Sequence, residues 1–261
     1  MNKALFLKEM IILSQMTKIS IDINADLGEG AGQDHVIMPL ISSCNIACGG
    51  HTGGKESIND TIKLAGLNNV KIGAHPSYPD KENFGRVNME ISDVDLEESL
   101  KNQLTLFYQI AKQNHQSVSH IKAHGALYNT IAKDEKTAKI YLSTLSKLGV
   151  NAKLYVPYNS VIYQLAKSNF DCLVEAFIDR AYNEDLSLVG RNKENALHKT
   201  PEKAWKQLYE MVTQKEVTTI NRHKIKIYAD TFCIHGDHPN AQQILEYIHQ
   251  NLSKHNLSLK K

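Results

Sequence analysis

Apolar, β-branched runs punctuate the chain at intervals: KISIDIN (18–24), ISSCNIAC (41–48), VKIGAH (70–75), SVSHIKA (117–123), AKLYVP (152–157), DCLVEAF (171–177) and KIKIYADTFCIH (224–235). Each reads as a strand. Between most of them lie amphipathic segments of helical period, at 55–67, 92–114, 134–148, 158–168, 201–215 and 239–254. In 92–114, Val94, Leu100, Leu104, Phe107 and Ile110 recur at spacings that put them on one helical face. Alternation of this kind predicts a parallel sheet with helices outside it.

No Pro/Gly/Ser-rich linker, low-complexity stretch or internal repeat divides the chain. The expectation is one domain over residues 18–255, with 1–17 an N-terminal extension outside the core and 256–261 a solvated basic tail. An open doubly wound sheet also satisfies the alternation, but the polar residues favour a closed α/β barrel. Asp26 and Glu29, His51, His75, His124, Asp179 and Arg180, and His235 and Asp237 follow the carboxyl ends of different strands. A closed barrel gathers catalytic groups at that rim, whereas an open sheet concentrates them near one switch point.

The totals narrow the function classes. Thirty basic and 28 acidic residues leave a net charge of +2, with no broad basic field for nucleic acid or anionic lipid. No apolar run approaches the ~18 residues that cross a bilayer. The first fifteen residues make a poor signal peptide, because Lys8 and Glu9 interrupt the apolar region. Four cysteines without a C-x-x-C pair read as reduced thiols, and hence a cytoplasmic protein.

Gly49 to Lys55 nearly spells the nucleotide loop G-x-x-x-x-G-K-[ST]. However, Glu56 stands where Ser or Thr would hold Mg²⁺, and His51 crowds the cradle, so the stretch reads either as a glycine-rich turn into a helix or as a binding position for Lys55, not as a true nucleotide loop. The rim histidines carry more information as a set. Asp26 with His51 and His75 suits a divalent metal, and the same groups equally suit acid–base work without one. His120, Lys122 and His124 share one strand face, where an interior lysine requires a carboxylate such as Glu175. GAHPSYPDKENFGR (73–86) reads as a substrate loop, with Tyr78 and Arg86 able to contact a planar anion. Arg191 adds a second anion-binding candidate.

Seven blocks, NADLGEG (24–30), NIACGGH (45–51), GAHPSYPD (73–80), FGR (84–86), HIKAHGALYN (120–129), DRAY (179–182) and CIHGDHP (233–239), together resemble the LamB/YcsF family. The resemblance implies a distorted (β/α)7 TIM-like barrel of the glycoside hydrolase/deacetylase type. It also implies a soluble component of an ATP-dependent 5-oxoprolinase, acting with partner subunits B and C on 5-oxo-L-proline, with ATP and Mg²⁺. Self-association stays open. On this basis the expected catalytic residues are Asp26, His75, Lys122, His124, His235 and Asp237, the last two as an acid/base pair. Substrate or phosphate contacts are expected from Asn24, Glu29, Asn45, Tyr78, Arg86, Glu175, Asp179, Arg180 and Arg191. The alternative is a metal-dependent polysaccharide deacetylase or other sugar-processing hydrolase. The chain departs from the family pattern at Gly54, where an aspartate is usual, and at Val87, Ala123 and Gly190.

Overall fold

The computed structural model describes residues 18–261, so the expected extension over 1–17 lies outside the described residues. The chain runs β1 (Ile19–Leu27), α1 (Asp34–Ile37), β2 (Ser43–Ala47), α2 (Lys55–Leu67), β3 (Lys71–His75), α3 (Asp93–Gln113), β4 (Val118–Ile121), α4 (Gly125–Ile131) and α5 (Glu135–Lys147). It continues through β5 (Lys153–Pro157), α6 (Val161–Ala166), β6 (Cys172–Phe177), α7 (Pro201–Thr213), β7 (Glu216–Thr218), β8 (Lys224–Lys226), β9 (Thr231–His235), α8 (Ala241–Leu252) and β10 (Leu257–Leu259).

Strands β1 to β6 and β9 pair in parallel in that order, and β9 pairs back onto β1, so the sheet closes into a seven-stranded barrel. The pairing register explains its unusual interior. Along β1, Ile21, Ile23, Ala25 and Leu27 alternate with Asp22, Asn24 and Asp26. The period of two sends the apolar set outward beneath the helices and the polar set inward. The same alternation puts Ser43 and Asn45 of β2, His120 of β4 and Thr231 of β9 inside. Most barrels of this class fill with branched aliphatic side chains; this one fills with a hydrogen-bonded polar column, and the apolar core lies between the strands and the helices.

That column is held together by side-chain hydrogen bonds. Thr231 Oγ1 donates to Asp22 Oδ1 (2.7 Å), Asn24 Nδ2 donates to Thr231 Oγ1 (2.8 Å), and Asn45 Nδ2 donates to Asn24 Oδ1 (2.7 Å) and Asp26 Oδ1 (2.8 Å). Buried amides and carboxylates are tolerated only when paired in this way. His120 stacks on Tyr155, with ring centroids 4.0 Å apart. Its ring fills the space above Gly73, where a Cβ would collide with it.

Three sequence expectations change. The run 224–235 is two strands: β8 pairs antiparallel with β7 as an exterior hairpin, and only β9 enters the barrel. Residues 256–261 are not a solvated tail throughout, because β10 pairs with the first three residues of β1 and Leu257 is buried in the core. Val94 lies on the open side of α3, whose buried face is Leu96, Leu100, Leu104, Phe107 and Ile110. Short α4 adds an element that the hydrophobic pattern does not predict, since seven residues are too few for helical periodicity to register.

Candidate active site

The carboxyl ends of the strands open onto a cavity of about 260 Å³ lined by Asp26, His75, Arg86, Lys122, His124, Arg180, Arg191 and His235, among others. Eight residues expected at the site therefore meet there, from β1, β3 and β9 and from the loops and turns that follow the strands.

Asp26 lies near the end of β1 with its Oδ1 held from two sides, by Asn45 Nδ2 and by Lys122 Nζ (2.9 Å). Lys122 also lies 3.0 Å from Glu175 Oε1 and donates to Cys233 Sγ (3.0 Å). Two of its three ammonium hydrogens are thus given to Asp26 and Cys233, and Glu175 adds an ion pair. Burial works against the charge on Lys122, but Asp26, Cys233 and Glu175 outweigh it and hold the ammonium well above the usual lysine range. Burial likewise works against the Asp26 carboxylate, yet Lys122, His75 and His235 keep it well below the usual range. Lys122 therefore serves as the counter-charge that keeps Asp26 ionised, rather than as a free donor to a ligand. Burial raises the Glu175 carboxyl above its usual range, even against the charge of Lys122. Glu175 sits behind Lys122 and faces a neighbouring cavity of about 370 Å³, together with Tyr128 and Phe177.

The histidines form a second layer. His75 Nδ1–H donates to the Lys122 carbonyl (2.8 Å), and His124 Nε2–H donates to the Phe84 carbonyl (3.0 Å). A carbonyl can only accept, so in the neutral rings both protons are committed and the lone pairs of His75 Nε2 and His124 Nδ1 are left facing each other at 3.0 Å. Burial drives the His75 imidazole well below its usual range, even against the pull of Asp26. In that state a proton or a metal cation between them would satisfy both nitrogens. Two carboxylates stand ready to complete its shell: Asp26 Oδ1 is 3.6 Å from His75 Nε2, and Glu29 Oε1 is 3.3 Å from His124 Nδ1. The donor atoms of Asp26, His75 and His124 all lie within 4.8 Å of one another, as do those of Glu29, His51 and His124. Nitrogen and oxygen donors with backbone carbonyls behind the imidazoles fit a divalent metal.

This grouping revises the expected set of Asp26, His51 and His75. His124 stands beside Asp26 and His75, while His51 stacks face to face on His124 (3.6 Å) and bonds Glu29 Oε1 through Nε2 (3.0 Å). The chain can bring these rings together because Gly85 and Gly125 adopt positive φ and meet at close quarters: the Gly85 carbonyl accepts from Ala126 N, and a Cβ on Gly125 would strike it.

On the opposite wall, His235 Nδ1–H donates to Asp179 (2.9 Å to Oδ2), and the His235 amide also reaches Asp179 Oδ2 (3.2 Å). Burial opposes the Asp179 charge, but His235 prevails and depresses its carboxyl. The expected His235–Asp237 pair is therefore a His235–Asp179 pair. Asp237 turns away to Arg86 Nη2 (2.5 Å) and Arg191 Nη1 (3.5 Å).

Other expected residues stand elsewhere. Asn24 and Asn45 belong to the interior column beneath the cavity, and Tyr78 is buried in the apolar core. Lys55 is exposed in the first turn of α2 and does not line the cavity. Gly54, the α2 N-cap, is extended with no neighbour within 4 Å of where a Cβ would stand, so the acid usual there would lie outside the cavity. Tyr128, Phe177 and Leu188 also line the cavity, and the sequence gives no sign of it. Apolar and phenolic residues carry no spacing signal that distinguishes a site wall from a core.

Comparison with known proteins places this geometry in a lineage. Curated relatives described as the A subunit of 5-oxoprolinase are 38% identical over 240 residues in Haemophilus influenzae and 39% over 245 residues in Campylobacter jejuni. Each alignment covers 92% of this chain, with 98% and 96% of the relative, respectively. A solved structure described as a lactam utilization protein from Thermus thermophilus superposes with a TM-score of 0.85 at 31% identity, covering 93% of this chain and 99% of that one. The Bacillus cereus spore cortex-lytic enzyme SleL, at TM-score 0.50 and 9% identity over 94% of this chain and 76% of that one, shares the fold alone. With residues 21–261 matching the family as a whole, from the first turn of the barrel wall in β1 to beyond β10, the chain belongs to the LamB/YcsF family.

Proposed function

We propose that this chain is the ring-opening component of an ATP-dependent 5-oxoprolinase, hydrolysing 5-oxo-L-proline to L-glutamate in concert with partner subunits B and C. The observation that carries the reading is the composition of one cavity. An oriented Asp–His pair, an ionised aspartate beside two imidazoles, and three arginines converge there, in a chain that aligns over 92% of its length with 5-oxoprolinase relatives. Size agrees: about 260 Å³ falls below the ~300–1,000 Å³ of pockets that enclose drug-sized ligands, and suits a small cyclic acid. ATP with its Mg²⁺ is then taken up by the assembled enzyme, not by this cavity.

A lactam carbonyl is a poor electrophile, and phosphorylation of its oxygen at the expense of ATP makes the ring carbon attackable by water. Asp179 fixes His235 with Nδ1 protonated, which leaves Nε2 to take the proton of the attacking water and to return it to the departing ring nitrogen. Breaking the C–N bond leaves the side-chain carboxyl as an acyl phosphate, and a second water releases inorganic phosphate and L-glutamate. Asp26, kept ionised by Lys122 and oriented by Asn45, positions that water. The arginines bind an anionic group of the activated substrate. A divalent cation held by Asp26, His75, His124 and Glu29 would supply Lewis-acid polarisation at the same wall. The sugar-deacetylase alternative is left with a shared fold as its support.

The test is co-purification of the three components and joint measurement of glutamate and ADP from 5-oxoproline and ATP. Glutamate should form in step with ADP, and His235→Ala should lower turnover by about a hundredfold or more. Full assembly without glutamate formation would overturn the reading.

A further inference from the structure

The arginine wall holds more positive charge than the protein itself answers. Arg86 and Arg191 share one oxygen of Asp237, Oδ2, while Asp237 Oδ1 is buried without a hydrogen-bond partner among the described residues. Arg180 is 6% exposed, lines the same cavity and spends Nη2 on the Val189 carbonyl (2.6 Å), yet its buried Nε finds no acceptor among the described residues. The neighbouring Asp179 is engaged by His235. Burial, followed by the charge of Arg191, brings the Arg180 guanidinium down to about 10 despite the opposing pull of Asp179. Once Asp237 is displaced, the three guanidinium groups face the Asp179 carboxylate beside Arg180, a local excess of two positive charges.

A monocarboxylate would neutralise half of that excess and offers two oxygens. A phosphoryl dianion neutralises all of it, and its three peripheral oxygens allow each guanidinium an acceptor. We infer that Arg86, Arg180 and Arg191 form a phosphoryl-binding cradle, and that Asp237 occupies the anion position until the ligand displaces it. The inference rests on the reading of this cavity as the reaction site, and it sharpens that reading: these three arginines, with Asp237 as their internal competitor, hold the phosphoryl group of the activated substrate.

Binding can be read without turnover. The full chain alone, titrated calorimetrically with inorganic phosphate in a buffer free of other oxyanions, should bind it saturably, and acetate about tenfold more weakly. Asp237→Asn removes the internal competitor while keeping the side chain's shape, and should tighten phosphate about fivefold or more. Arg180→Gln should weaken it about tenfold or more; Arg191→Gln serves the same purpose if the first variant melts early. Phosphate held no more tightly than acetate, or an Asp237→Asn chain that binds phosphate no better than wild type, would overturn the cradle. Either outcome leaves the hydrolase reading to its own assay, since no glutamate is measured.

Discussion

His120 shows how much a single buried ring can carry. It bonds Ser119 and Asn45, stacks on Tyr155 and never reaches the cavity. Its acceptor, Asn45 Oδ1, leaves the Asn45 amide hydrogens free to fix Asp26, so His120 acts on the site through one intermediary. Burial, reinforced by Lys122, lowers its imidazole to about 3, against about 6.5 in an unfolded chain. Between those values the unfolded state binds the extra proton, so the ring's contribution is intact above about pH 6.5 and is lost as the pH falls towards 3. From pH 7 to pH 5 the wild type should lose about 2 kcal/mol more than His120→Gln, as read by urea unfolding. Equal slopes would show that His120 titrates freely. The sequence placed His120 on the same face as Lys122 and His124, but its partner lies 75 residues away, and no local pattern signals such a bond.

At the scale of the element, β3 and α2 present two glycines with opposite demands. Gly73 on β3 faces the interior, where the His120 ring leaves no room for a Cβ. Gly73→Ala should cost about 1–3 kcal/mol in urea unfolding, the range for overpacking a closed interior. Gly54 opens α2 in extended conformation with free space around it, and Gly54→Asp should change stability by no more than about a few tenths of a kcal/mol, in the favourable direction, through the helix cap. A large loss at Gly54, or none at Gly73, would contradict the packing. The strand runs and long helices were legible because their periods repeat over many residues. The exterior hairpin β7–β8 was not, since a short apolar stretch reads the same whether it enters a barrel or lies across its outside.

For the whole molecule, closure is the decisive feature. β1 is shared between two neighbours on one side: its first three residues pair with β10 and the next five with β9. The C-terminal strand thus continues the wall where β9 leaves off. Leu257→Ala should destabilise the protein by about 2–4 kcal/mol, as truncation of a fully buried leucine does, while Lys260→Ala should stay within about 0.5 kcal/mol. Thermal or urea melts of the two variants distinguish a structural strand from a solvated tail. Closure also brings β9 back beside β1, so that His235 is registered against Asp26 although 209 positions separate them in the chain.

The amino-acid sequence by itself determined the α/β class, the closed barrel, the family and the pool of rim residues, because hydrophobic period and motif order are properties of the chain. Only the tertiary structure decided how that pool is paired: Asp179 rather than Asp237 with His235, His124 rather than His51 with Asp26 and His75, and Lys122 as the counter-ion of Asp26. Pairing depends on distances of a few ångströms between groups far apart in sequence, set by strand register and barrel closure. It also depends on which proton each backbone carbonyl claims, and neither is written in the order of the residues.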